Sequence, residues 1–243
     1  MANFVLIPGA GGIAWYWHRV VPLLEGSGHD AVAVDLPGDD KSFGLSSYAD
    51  RVIEVIAGRP AILVAQSLAG FTAAVVCARV PVRMLIFVNA MIPVPGESPG
   101  EWWGNTGSTA ARKAAAQRGG YSAEFDMATY FLHDVPPAIV KQGEAYERPQ
   151  SDTVFGEPCR FEAWPDVPIH VVAGRDDRFF PIDFQRRVAV ERLHATVDDI
   201  AGGHLVALAN PEGLVQQLLR YLPAAAIPNS DSRSSMSHTA KRR

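Results

Sequence analysis

Short apolar runs alternate with longer stretches that place apolar residues at helical spacing. Phe4 to Ile7 is wholly apolar and is stopped by Pro8-Gly9, the mark of a strand covered on both faces. Trp15 to Glu25 carries apolar positions every three or four residues and ends at Gly26 and Gly28, which predicts a helix. Ala31 to Val34, Ala61 to Ala65 and Met84 to Val88 repeat the strand pattern. Between them, Tyr48 to Ala57 reads as a helix with Ser46 or Ser47 as cap and Gly58 as stop, and Leu68 to Arg79 as a largely buried helix. Apolar strands alternating with helices predict an α/β protein with a mostly parallel sheet and helices on both faces.

The rhythm breaks between Met91 and Pro165. No strand pattern occurs there, only Pro/Gly-rich pieces and weak helices at Thr109 to Arg118 and Pro137 to Ala145. It resumes with a strand at Ile169 to Ala173, a helix at Ile182 to Arg192, a strand at Ala195 to Ile200 and a helix at Pro211 to Tyr221. The expected organisation is a core of residues 1–90 and 166–222, a cap insertion at 91–165, and a polar, Ser-rich, disordered tail at 223–243.

Composition narrows the class. The 243 residues are 48% hydrophobic and 20% charged, as in an ordinary globular chain, and the net charge of −4 gives no reason to expect nucleic acid or an anionic membrane as partner. Two cysteines, Cys77 and Cys159, are too few for a disulfide framework, and a reducing compartment is the simpler expectation. The opening MANFVLIPGAGG lacks a basic n-region and a long apolar core, so no signal peptide is expected and a cytoplasmic location follows.

The candidate chemistry sits where strands end. AQSLAG, Ala65 to Gly70, places Ser67 on the turn from a buried strand to a helix. Such a turn exposes a hydroxyl and sets it beside the amides of a helix N-terminus, provided the flanking residues are small. Ala65 and Ala69 stand where glycines are usual, so the motif by itself is equally a serine-capped helix start. A serine nucleophile needs an imidazole to take its proton and a carboxylate to orient that imidazole. AGRDDRFFP supplies Asp176 and Asp177 after one later strand, and IAGGHLVAL supplies His204 after the last. The other six histidines precede the serine, lie in the insertion or tail, or fall at the wrong end of a strand. Pro8 to Gly12 follows the first strand, and its glycines let backbone approach a ligand, so the Ala10 N–H joins that of Leu68 as a candidate oxyanion donor.

With these residues in order, the chain resembles the α/β-hydrolase superfamily. More narrowly, it resembles the compact group of plant methyl-ester esterases and hydroxynitrile lyases with their bacterial relatives. The likeness is carried by FVLIPGAGGIAWYWHRVVPLL, VDLPG, VAQSLAGF, IFVNAMIPVPGES, AGRDDRFFP and GGHLVALANP. It implies an α/β-hydrolase fold, a small helical cap, and an acid three residues past the strand-end glycine. Gly174 makes that Asp177, with Asp176 as fallback. The resemblance further implies cleavage of a carboxylic ester with an apolar acyl or aryl part, no cofactor and no metal, with a homodimer kept open. Gly9, Gln66, Trp102 and Trp103 are the candidate substrate-binding residues; the other aromatics of the insertion are expected to pack it onto the core. The group usually has His where Pro8 stands. Its lyases carry Thr and Lys where Gly9 and Leu205 stand, which argues against cyanide elimination. A ligand receptor on the same fold is the remaining alternative.

Overall fold

The computed structural model describes residues 1–223, so the expected tail lies, from residue 224 on, outside the described residues. Among the described residues, six strands form one sheet: β1 (Asn3–Ile7), β2 (Asp30–Ala33), β3 (Ile62–Gln66), β4 (Met84–Val88), β5 (Ile169–Gly174) and β6 (Val197–Ile200). Their order is β2-β1-β3-β4-β5-β6, and every pairing is parallel. Alternation along each strand sends side chains to opposite faces. Val5, Leu63, Leu85 and Val171 enter one apolar cluster; Phe4, Ile62, Ile86 and Val172 enter the other. This is why Phe4 to Ile7 of β1, Ile62 to Ala65 of β3 and all of β4 are apolar.

Helices α2 (Leu45–Ile56), α3 (Ala69–Arg79) and α8 (Ile182–Leu193) cover the first face. Helices α1 (Val21–Gly26), α9 (Val206–Ala209) and α10 (Pro211–Arg220) cover the second. The segment between β4 and β5 contains α4 (Pro99–Thr106), α5 (Ser108–Gly119), α6 (Met127–Tyr130) and α7 (Pro137–Gly143), with no strand among its described residues. It reaches both faces. Trp102, Val154 and Cys159 are buried in the first cluster, and Leu132, Ile139 and Val140 pack on the second.

Three local expectations need correction. The predicted helix over Trp15 to Glu25 is a 3₁₀ turn at Ala14–Trp17 followed by α1, because Pro22 lacks an N–H and suits only a first helical turn. Helix α2 has Gly44 at its N-cap position and is not capped by Ser46 or Ser47. The carboxylate of Glu157, far along the chain, accepts the amides of Leu45 at 2.6 Å and Ser46 at 3.3 Å. Helix α4 was not expected, although Ser98-Pro99-Gly100-Glu101 spells its capping box and the structure forms it.

Candidate active site

Ser67 sits between β3 and α3 with φ of 52°, a left-handed conformation that costs a non-glycine residue about 1 kcal/mol or more. The end of β4 holds it there: Ser67 N–H donates to the Val88 carbonyl at 3.3 Å, and its own carbonyl accepts from Met91 N–H at 2.9 Å. Small residues are required around this turn. A methyl at Gly70 would fall 1.8 Å from the Met91 carbonyl oxygen, and one at Gly9 would fall 2.9 Å from Ser67 Cβ.

The loops after β5 and β6 bring an acid and an imidazole to the same edge. His204 Nε2 lies 3.1 Å from Ser67 Oγ, and its Nδ1 lies 2.8 Å from Asp177 Oδ2. A carboxylate only accepts, so Nδ1 carries the proton and Nε2 is left to accept from the serine hydroxyl. The other Asp177 oxygen takes the amides of Phe179 and Phe180, each at 2.8 Å, which fixes the carboxylate. Asp176 faces away and accepts from Gly202 N–H, so Asp177 is the carboxylate that meets the histidine. All three side chains are buried, with Phe131, Phe179 and Phe180 edge-on to the imidazole at 4.8 to 5.1 Å. This apolar wall excludes water and strengthens the charge-bearing hydrogen bonds.

The two amides expected to face a reacting oxygen are uncommitted. Among the described residues neither Ala10 N–H nor Leu68 N–H has an acceptor, whereas Gly9 N–H donates to Gln66 Oε1 at 3.1 Å. Gln66 also donates from Nε2 to the His204 carbonyl at 3.4 Å, so it braces the β1 loop against the histidine loop.

Sequence reasoning missed two further polar residues here. Asn89 directly follows β4, is fully buried and is left-handed, with φ of 46°. Its Nδ2 donates to the carbonyls of Gly203 and His204, and its Oδ1 accepts from Gly174 N–H at 2.7 Å. Gln185 of α8 is buried beside it and donates from Nε2 to the Phe180 carbonyl at 2.7 Å. An asparagine closing a wholly apolar strand was the readable signal for the first; a lone glutamine within a helix gave none for the second.

A cavity of 760 Å³ opens beside this cluster. Pro8, Gly9, Ala10 and Gln66 form one side; Tyr16, Leu132, Val135, Ile139, Val140, Leu205 and Leu208 give it apolar walls. Glu144, Glu147 and Arg148 are also among its lining residues. Tyr16 accepts from Ala207 N–H at 3.4 Å, and burial holds its phenol far above the ordinary tyrosine range. Of the candidate substrate-binding residues, Gly9 and Gln66 line this cavity. Trp102 and Trp103 are not among the residues lining the cavity. Trp102 is fully buried, donates to the Ile92 carbonyl and packs on Phe180 and Phe184; Trp103 packs behind Phe179. Among the described residues no group of His, Cys, Asp and Glu is arranged to hold a metal, and no helix is long and apolar enough to cross a membrane.

The fold and this strand-end cluster define an α/β hydrolase, and comparison agrees: the model of the Alpha/beta hydrolase family matches residues 4–217, so the chain belongs to that family. Among individual proteins it is similar to methylesterase 3 of Arabidopsis thaliana, 25% identical over 257 residues that cover 89% of this chain and 94% of that protein. It is 34% identical over 104 residues to norfluorocurarine synthase 1 of Strychnos nux-vomica, a match spanning 37% of this chain and only 39% of that relative's length. The solved structure of polyneuridine aldehyde esterase superposes with a TM-score of 0.74 at 21% identity, over 90% of this chain and 98% of that one, a likeness of fold.

Proposed function

We propose that the protein is a serine esterase in which Ser67 is the nucleophile, His204 the general base and then acid, and Asp177 the group that orients the imidazole. The hydrogen-bonded line from Ser67 Oγ through His204 to Asp177, at 3.1 and 2.8 Å, is the observation that carries this reading. Ser67 Oγ attacks the ester carbonyl as its proton passes to His204 Nε2. Asp177 stabilises the resulting imidazolium. The Ala10 and Leu68 amides receive the oxyanion, each worth roughly 3 kcal/mol in the transition state. His204 then protonates the departing alkoxide, and water, activated by the same imidazole, releases the acid.

The segment at 91–165 serves as the cap, and the apolar walls suit an uncharged acyl or aryl ester. Similarity to a methylesterase supports the same bond type. Elimination of an anionic leaving group finds no cation at Gly9 or Leu205, both on the cavity. The free thiols Cys77 and Cys159 favour work in the cytoplasm. The test is hydrolysis of p-nitrophenyl butyrate: turnover by the wild type and none by Ser67→Ala supports the esterase. A folded wild type that binds the ester without cleaving it supports a receptor instead.

A further inference from the structure

We propose that Asp134, on the segment above the sheet, is a positioning residue that couples the cavity wall to the placement of His204. The proposal rests on the esterase reading.

The loop carrying His204 is gripped from several sides. Asp176 takes Gly202 N–H at 3.2 Å and donates its own amide to the Gly202 carbonyl at 3.0 Å. Asn89 Nδ2 holds the Gly203 and His204 carbonyls, each at 3.0 Å. These groups belong to the sheet edge. Gly203 N–H, one residue before the imidazole, instead donates to Asp134 Oδ2 at 2.5 Å. A hydrogen bond to a carboxylate is about twice as strong as a neutral one.

The surroundings of this contact are unusual for a mere fastening. Asp134 Oδ1 and both ring nitrogens of His133 are buried without a partner among the described residues, and His133 Nε2 lies 3.9 Å from that carboxylate oxygen. Unmet polar groups of this kind are destabilising, and they concentrate where function requires them. The position supplies a reason. Leu132 and Val135, on either side, both line the cavity, and Val135 N–H closes their turn onto the Leu132 carbonyl at 3.2 Å. One tight turn therefore carries cavity wall and loop contact together. A ligand that fills the space against Leu132 and Val135 fixes the turn, and the turn fixes Gly203 and His204.

Gly203 makes the approach possible. A methyl there would lie 2.7 Å from His133 Cε1 and 2.8 Å from Asp134 Oδ1. Its φ is not among the left-handed ones, so alanine strains the contact and not the backbone.

Steady-state kinetics of Asp134→Ala, Asp134→Asn, Gly203→Ala and the Asp134→Ala/Gly203→Ala pair, with p-nitrophenyl butyrate and octanoate, test the coupling. Asp134→Ala is expected to lower kcat about tenfold or more with KM within about twofold, as for a displaced catalytic group. Asp134→Asn retains an acceptor oxygen and is expected to restore kcat to within about threefold of wild type. Gly203→Ala should lower kcat like Asp134→Ala, and the double variant should be no worse than either single one. Additive losses, or a change confined to KM, overturn the proposal. So does wild-type kcat in Gly203→Ala, which decides the matter even if thermal melting shows Asp134→Ala unfolded. An active wild type with unaltered variants overturns the proposal alone; a wild type inert toward both esters overturns the esterase reading with it.

Discussion

Asn89 Nδ2 lies 3.0 Å from the carbonyl oxygen of His204, the residue whose ring meets Ser67. One carboxamide thus joins the strand end carrying the acid loop, through Gly174, to the loop carrying the histidine. Asn89→Ala leaves the buried Gly174 N–H and Gly203 carbonyl without partners, leaves the His204 carbonyl only the longer bond from Gln66, and puts alanine at a left-handed φ. We expect a loss of roughly 3 kcal/mol in urea unfolding. Asn89→Asp keeps the acceptor for Gly174 but turns a carboxylate oxygen toward two carbonyls, and should be less stable still.

The two neighbouring aspartates should separate sharply. Asp177→Asn offers an amide where His204 Nδ1–H needs an acceptor, favouring the wrong tautomer, and should lower kcat by roughly 10⁴-fold. Asp176→Asn keeps an acceptor for Gly202 N–H and should stay within about threefold of wild type, since a neutral acceptor suffices there. Ester hydrolysis by both variants, side by side, checks the assignment.

Glu157 caps α2 from a distant part of the chain, and Gly44 leaves room for it: a methyl there would sit 1.9 Å from Glu157 Oε2. Glu157→Ala removes acceptors and a negative charge from a helix N-terminus, a loss of roughly 1–2 kcal/mol. In a chain of this size each kcal/mol lowers Tm by about 2–4 °C. Differential scanning calorimetry should show that drop, with Glu157→Gln in between.

Burial lowers the pKa of His170 below its ordinary 6.5, against a smaller opposing pull from Asp198; its ring stacks on Tyr221 at 3.8 Å. Protonation therefore favours the unfolded chain. The penalty is absent well above 6.5 and grows as pH falls through that value toward the lower folded pKa. Between about pH 7.5 and about pH 5.5 the wild type should lose more Tm than His170→Gln does, by this linkage. Equal losses would show that His170 titrates alike in both states.

The sheet was legible because strands such as Phe4 to Ile7 and Met84 to Val88 are covered on both faces and so lose all polar punctuation. The order serine, acid, histidine was legible because each residue follows a stretch that reads as a strand. What was not legible depends on contacts between distant parts of the chain. Glu157 supplanted Ser46 and Ser47 as the cap of α2, which no local pattern reveals. The aromatic character of Trp102 suggests a pocket residue, yet its indole N–H meets the Ile92 carbonyl within the core. Gln185 and Asp134 act through backbone groups of other loops, so their own surroundings in sequence say nothing of it.

Labelling with a fluorophosphonate probe, followed by peptide mapping, addresses the activated serine most directly. A single phosphonylated residue, Ser67, with labelling abolished in His204→Ala, is the expected result. A folded wild type that reacts at another serine, or that labels Ser67 equally fast without His204, would contradict a nucleophile activated by this histidine.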